Sequence, residues 1–184
     1  MVSSDAYIHI HHFLMAIAWE LLVPAAIFVS RYLKSRLGHN WFRIHVTLAF
    51  LIFACTLSGF IVIEVTYPKP IPYSSAHVIL GLIVFIGMYL QIILGVVIHF
   101  LYKADRTSIP WYDQLHWWGG RALLIVSWVA IPMGVWLYSK YDASQQIGAM
   151  VGHCVGFLVI ILVFAWAEWK LGPHREGKNE KVGV

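Results

Sequence analysis

The chain has 184 residues; 60% are hydrophobic and only 12% are charged, with a mean hydropathy of +0.72 and a formal net charge of +4. A soluble globular domain carries about 25% charged residues. This chain therefore lacks the polar surface of a water-soluble body, which excludes a cytosolic enzyme, a disordered tail and a nucleic-acid module.

A helix needs about 20 apolar residues to cross the hydrocarbon core. Five segments meet that length, roughly 11–33, 42–66, 76–102, 115–138 and 146–170. Between the first two, Arg31 to Asn40 is basic and contains Gly38. Tyr67 to Pro72 holds three prolines and cannot be a helix interior. Lys103 to Asp113 is polar and contains Pro110, and Lys140 to Gln146 is short and polar. Cys55 and Cys154 both lie in apolar runs and support neither a disulfide framework nor a zinc site. The expected fold is an all-α integral membrane protein, a five-helix transmembrane bundle in one domain over residues 1–170. A charged cytoplasmic tail follows over 171–184.

Lys and Arg set the expected orientation. With five spans the termini lie on opposite sides. The side holding the C-terminus receives Arg31, Lys34, Arg36, Arg43, Lys103, Arg106, Arg121, Lys170, Arg175, Lys178 and Lys181, and the other side only Lys69 and Lys140. The C-terminus is therefore expected in the cytoplasm and the N-terminus outside, in the plasma membrane or an endomembrane. The positive charge is a topology signal, and no contiguous basic face for nucleic acid is present. Residues 1–10 lack the basic start of a cleavable signal peptide. The short tail is either translocated directly or belongs to a longer protein.

Ten histidines are the unusual feature of so apolar a chain. His11 opens span 1, His45 span 2, His77 span 3 and His116 span 4, at spacings of 34, 32 and 39 residues, about one span and one loop each. Four antiparallel helices then present two histidines near each face. Two imidazoles from facing helices are what an iron porphyrin needs for axial ligation. His11 and His77 would hold an outer haem, and His45 and His116 a cytoplasmic-side haem, with helices 1–4 enclosing two b haems. In a helix, positions i+4, i+7 and i+18 fall near the face of i. Gly81 and Gly95 stand at i+4 and i+18 from His77, and Gly120 and Gly134 at i+4 and i+18 from His116. Ala18 is i+7 from His11, Ala49 is i+4 from His45, and Gly59 lies further along span 2. A small residue one turn from a ligand leaves room for the porphyrin. One at i+18 lies about 27 Å further along, where its helix passes the other haem. The plainer alternative is that these glycines serve close helix contacts.

The run His11-His12-Phe13-Leu14-Met15, followed by Trp19, Pro24, Arg31 and Tyr32, resembles the opening helix of eukaryotic cytochrome b561 domains, especially those that follow an extracellular DOMON domain. Trp41 to His45 resembles the second ligand helix. His77 to Gly81, with Gln91 and Gly95, resembles the third, and His116 to Arg121 the fourth. The resemblance selects His11 as ligand and puts His12 at the family's usual glycine, so His12 stands as a competing ligand. It implies two b-type haems and electron transfer across the membrane. The donor would be cytoplasmic ascorbate or an equivalent reductant. The acceptor would be monodehydroascorbate, a ferric chelate or an extracellular redox protein, and an N-terminal DOMON domain is a further implied partner.

The remaining polar residues divide by side. Lys34 and Arg43 precede His45, and the resemblance is to basic residues that hold ascorbate near the inner haem. Arg31 and Arg36 read as topology alone. Arg121 is about 7.5 Å beyond His116 and suits a propionate or a carbonyl. On the outer side Glu64, Lys69, Tyr73, Lys140 and His153 face an acceptor or the outer haem, with His153 a hydrogen-bonding residue rather than a third ligand. Glu20, nine residues after His11, points away from that ligand. Glu168 reads as interfacial. The leading expectation is an ascorbate-dependent or ferric-chelate reductase type of transmembrane oxidoreductase without bond-making catalytic residues. The alternatives are a quinol-oxidising cytochrome b membrane anchor and a haem-free transporter.

Overall fold

The computed structural model describes residues 4–66, 73–103, 107–138 and 143–172. Lys69, Lys140 and residues 173–184 of the expected tail lie outside the described residues. Five helices are long and apolar enough to cross a membrane: Ala6–Tyr32, Asn40–Val65, Ala76–Leu101, Trp111–Leu137 and Ile147–Leu171, called spans 1 to 5 below. No strand occurs among the described residues. The protein is an all-α membrane bundle, as expected. Its helices start several residues before some of the expected edges, so His11 and His116 lie more than a turn inside their helices.

Span 1 is continuous but not uniform. Residues Ile17–Leu22 form a π-helix, and the Val23 amide bonds back five residues to the Ala18 carbonyl. Pro24 follows, buried and without a donor. Its missing N–H and its ring remove the ordinary bond to the Glu20 carbonyl, and the widened turn absorbs the mismatch. The short helix Lys34–Leu37 ends at Gly38, whose φ of 52° is left-handed. A glycine adopts that conformation without steric cost, and it lets the chain turn back into span 2. Ser75 caps span 3 by accepting a hydrogen bond from the Val78 amide at 3.3 Å, which places His77 in the first helical turn.

Span 1 packs along span 2, and span 3 along span 4. Span 5 rests on span 4 and on the later part of span 1. The two helix pairs meet through a central cluster that includes Ala18, Trp19, Val23 and Ile52 on one side, and Val84, Met88, Leu124 and Ile131 on the other. Outward positions such as Phe50, Ile86, Phe100, Ile125 and Leu162 are exposed, as lipid-facing positions must be. At the C-terminal end of span 1, Arg31 forks onto Glu168 of span 5 at 2.8–3.1 Å, and the Tyr32 hydroxyl donates to the same carboxylate at 2.8 Å. This clamp fixes span 5 against span 1.

Candidate functional site

The four histidines at span starts meet in two pairs. The His11 and His77 ring centroids are 6.2 Å apart at 85°, and those of His45 and His116 are 6.3 Å apart at 73°. A metal–imidazole bond is about 2 Å. Ring bonds near 1.33 Å put a nitrogen ~1.1 Å from the centre of its ring. Two imidazoles facing one iron therefore place their centroids about 6.3 Å apart, and both pairs have that separation.

Backbone carbonyls orient three of the four rings. His11 Nδ1 donates to the Gly59 carbonyl at 2.9 Å, His77 Nδ1 to the Ala130 carbonyl at 2.8 Å, and His45 Nδ1 to the Ala26 carbonyl at 3.3 Å. A carbonyl only accepts, so Nδ1 carries the proton and the Nε2 lone pair is free for a metal. The bracing is reciprocal. Span 1 and span 2 each hold the other's histidine, and span 4 holds that of span 3. His116 is the exception: its buried Nδ1 makes no hydrogen bond, and the backbone of Gln91 on span 3 is its polar neighbour. On three spans, fourteen or fifteen residues separate the histidine from the carbonyl that braces the other pair. These are His11 to Ala26, His45 to Gly59 and His116 to Ala130, each about 21–22 Å along its helix. The two pairs are thus stacked along the bundle at that distance.

The glycines sort into two kinds. A Cβ built on Gly134 would lie 2.6 Å from His77 Cε1, and one on Gly95 would lie 3.4 Å from His116 Cε1. The glycines at i+18 thus admit the imidazole of the neighbouring span. Gly81 and Gly120 have nothing within 4 Å of such a Cβ, so open space lies one turn from His77 and His116. A Cβ built on Gly59 would lie 3.1 Å from Met15 Cε and 3.4 Å from Leu14 Cβ, while the Gly59 carbonyl braces His11. Matching ring separations, free Nε2 atoms and clear space beside the ligands fit a porphyrin at each pair.

His12 does not join His77. Its Nε2 lies 2.7 Å from Nε2 of His153 on span 5, and His153 Nδ1 lies 2.5 Å from Glu20 Oε1. Glu20, expected to point away from His11, thus points toward span 5, and a chain of His12, His153 and Glu20 links spans 1 and 5. Arg121 donates to its own helix at the Trp117 carbonyl, 2.7 Å away, and its guanidinium lies 5.5 Å from the Trp118 ring centre. Lys34 Nζ sits 4.8 Å over Trp41, whose ring is 6.4 Å from that of His45. Arg43 stays exposed, and its carbonyl accepts from Thr47. Tyr73 is exposed and donates to Glu64 at 2.9 Å, and that bond raises the pKa of its hydroxyl. Arg31 and Glu168, read from sequence as separate surface charges, form the clamp between spans 1 and 5. The Ala26 and Ala130 carbonyls, and buried Asp113 one turn before His116, are features that no sequence motif marks. Backbone acceptors leave no mark in a sequence.

The sequence profile of eukaryotic cytochrome b561 matches residues 10–141, which include all four histidines of the two pairs. Over 72 residues the chain is 36% identical to a cytochrome b561, DM13 and DOMON domain-containing protein of Arabidopsis thaliana. That stretch is 39% of this chain and 8% of the relative, so the chain corresponds to a small part of it. No solved structure matches. The chain belongs to the eukaryotic cytochrome b561 family, whose members are membrane proteins that bind haem b and transfer electrons across the bilayer.

Proposed function

We propose that this chain holds two b haems, one between His11 and His77 and one between His45 and His116. It would use them to carry electrons from a cytoplasmic ascorbate-like reductant to an extracytoplasmic acceptor, either monodehydroascorbate, a ferric chelate or a redox protein. The observation that carries the reading is the equal ring separation of the two pairs, 6.2 and 6.3 Å, at two levels of one bundle. Each haem supplies the reversible one-electron couple of its iron. The protein's own work is positional. The Gly59, Ala130 and Ala26 carbonyls hold three imidazoles by Nδ1, which would leave Nε2 free to ligate a haem iron. Such bonds fix the tautomer and raise the basicity of the ligand. The central cluster around Trp19 and Met88 excludes water between the two levels.

The excess of Lys and Arg on the C-terminal side supports a cytoplasmic position for the His45/His116 pair. Lys34, held over Trp41 beside His45, and the neighbouring Arg43 suit an anionic reductant. Arg121 has further N–H donors for a propionate. Tyr73 and His153 stand at the other end, where Lys69 and an acceptor are also assigned. The residues act as one domain over 1–170, with 171–184 a cytoplasmic tail, and a DOMON domain is the expected N-terminal partner in a longer protein. An inside-negative potential drives outward electron movement by about 2.3 kcal/mol per charge per 100 mV.

The absorption spectrum of the purified protein before and after ascorbate tests this reading. Two low-spin haems per chain that ascorbate reduces are expected. A protein with one haem, or with two that ascorbate leaves oxidised, overturns the corresponding part.

A further inference from the structure

Each helix that carries a histidine of one pair also passes behind a histidine at the other level. Counted from its own histidine, the bracing residue is Ala26 on span 1, fifteen residues on, and Gly59 and Ala130 on spans 2 and 4, fourteen on. The fourteenth residue after His77 on span 3 is Gln91, whose backbone is the polar neighbour of His116. The repeat goes further between spans 3 and 4. Ala130 stands four residues before Gly134, the glycine against the His77 ring, and Gln91 stands four before Gly95, the glycine against the His116 ring. Gln91 is thus the counterpart on span 3 of Ala130 on span 4.

The two counterparts differ in reach. A Cβ on Gly134 would lie 2.6 Å from Cε1 and 2.8 Å from Nδ1 of His77, and that ring bonds the Ala130 carbonyl. A Cβ on Gly95 would lie 3.4 and 4.0 Å from the same atoms of His116. The His116 ring stands further from its neighbouring helix, and its Nδ1 has no acceptor. Gln91 differs from Ala130 in carrying an amide. Its Nε2 takes the space that a Cβ on Gly119 would need, and Gly119 is one turn from His116 on the same helix. Gln91 Oε1 is buried and also has no hydrogen-bond partner. Buried polar atoms are rarely left so, and the bilayer core supplies no water to satisfy them. One of these two atoms must donate when His116 Nε2 binds iron, and the other only accepts. They lie on adjacent turns of the interface between spans 3 and 4.

We propose that the Gln91 side chain is the fourth brace: its Oε1 accepts a hydrogen bond from His116 Nδ1 when the His45/His116 pair holds iron. The assignment rests on the reading of that pair as a haem site and makes Gln91 a positioning residue for it. Rotation of the Gln91 side chain brings its oxygen to the ring, and the absence of a side chain at Gly119 leaves room for the amide. An acceptor on Nδ1 fixes the tautomer, raises the basicity of the ligand and favours the ferric state. A rotatable amide holds the ring less firmly than a main-chain carbonyl, so the second pair stays the less firmly braced of the two.

The test uses the full haem-loaded chain in phospholipid nanodiscs and reads haem content together with midpoint potentials. The component of the second pair is the one that survives in His77→Ala. Gln91→Leu keeps the main chain and removes the side-chain acceptor. It should retain two haems and favour reduction of that component about tenfold, a rise of about 59 mV for one electron, with the other component unmoved. Gln91→Glu keeps an acceptor oxygen and should hold the component at or below its wild-type potential. Unchanged potentials in Gln91→Leu overturn the proposal and assign the brace to the Gln91 main-chain carbonyl. An equal rise in both variants also overturns it, as a packing effect. Asp113, buried one turn before His116, is the rival side chain, and a shift in Asp113→Asn with none in Gln91→Leu moves the brace there. If Gln91→Leu binds one haem, Gln91→Glu decides: two haems at or below the wild-type potential support the brace, and a raised or missing component overturns it. A wild-type protein with fewer than two haems sinks the reading of the pairs instead, so the two failures are told apart.

Discussion

The two histidine pairs have almost the same ring separation but differ in how the rings are braced. At the first pair both imidazoles donate to carbonyls, at 2.9 and 2.8 Å. At the second, His45 makes a longer bond of 3.3 Å and His116 Nδ1 makes none. The close fit of Gly134 to His77, against the looser fit of Gly95 to His116, repeats the difference. The ring separation matches what an iron between two imidazoles requires. Bracing is set by the helix that happens to pass behind each one, and the two can vary independently within one bundle.

The largest expected effect is loss of a ligand. His77→Ala should reduce haem content from two per chain to one, and His116→Ala should do the same at the other level, by pyridine haemochrome against protein. A His77→Ala protein that keeps two haems breaks the assignment and makes His12 the ligand to test next. The glycines come second. In Gly134→Ala a methyl would sit 2.6 Å from His77 Cε1, and overpacking of that kind costs about 1–3 kcal/mol. The affinity of the first-pair haem should fall about ten- to hundredfold, while Gly95→Ala, at 3.4 Å, should keep both haems. Equal loss in the two variants would remove the asymmetry.

A smaller effect separates the two sites by potential. Stronger Nδ1–H hydrogen bonds make imidazole more basic and favour the ferric state, so the first-pair haem should have the lower potential. In a spectroelectrochemical titration the His77→Ala protein should lose the lower component. Loss of the upper one reverses the comparison. The smallest effect lies away from both pairs. Glu168→Gln weakens the clamp to Arg31, whose partners are 37% and 42% exposed, and pairs that open contribute about 0–1 kcal/mol. The melting temperature should fall slightly with haem content unchanged.

Much of the site was legible because helices in a bilayer have few options. An apolar run of fixed length must span, so a histidine at the start of each of four successive spans alternates between faces. The i+18 glycines were also legible, since helical periodicity sends them to the level of the opposite pair. They turned out to admit an imidazole from the neighbouring span. What stayed hidden depends on helix rotation. His11 and His12 are adjacent, about 100° apart around one helix, and no local signal says which faces span 3. The rotation comes from packing against span 2, and it turns His11 toward His77 and sends His12 to His153. The encounter of Glu20 with His153 joins residues 133 positions apart, across a π-helical turn that shifts the register of span 1.

The sequence by itself determined the membrane class, the five spans, the two levels of histidines and their small neighbours, because each follows from local composition and a fixed helical period. Only the tertiary structure decided which imidazoles meet, which carbonyls brace them, and that His153 of span 5 meets His12 and Glu20 of span 1. These are contacts between helices whose relative rotation is set by side-chain packing, and that packing has no period along the chain.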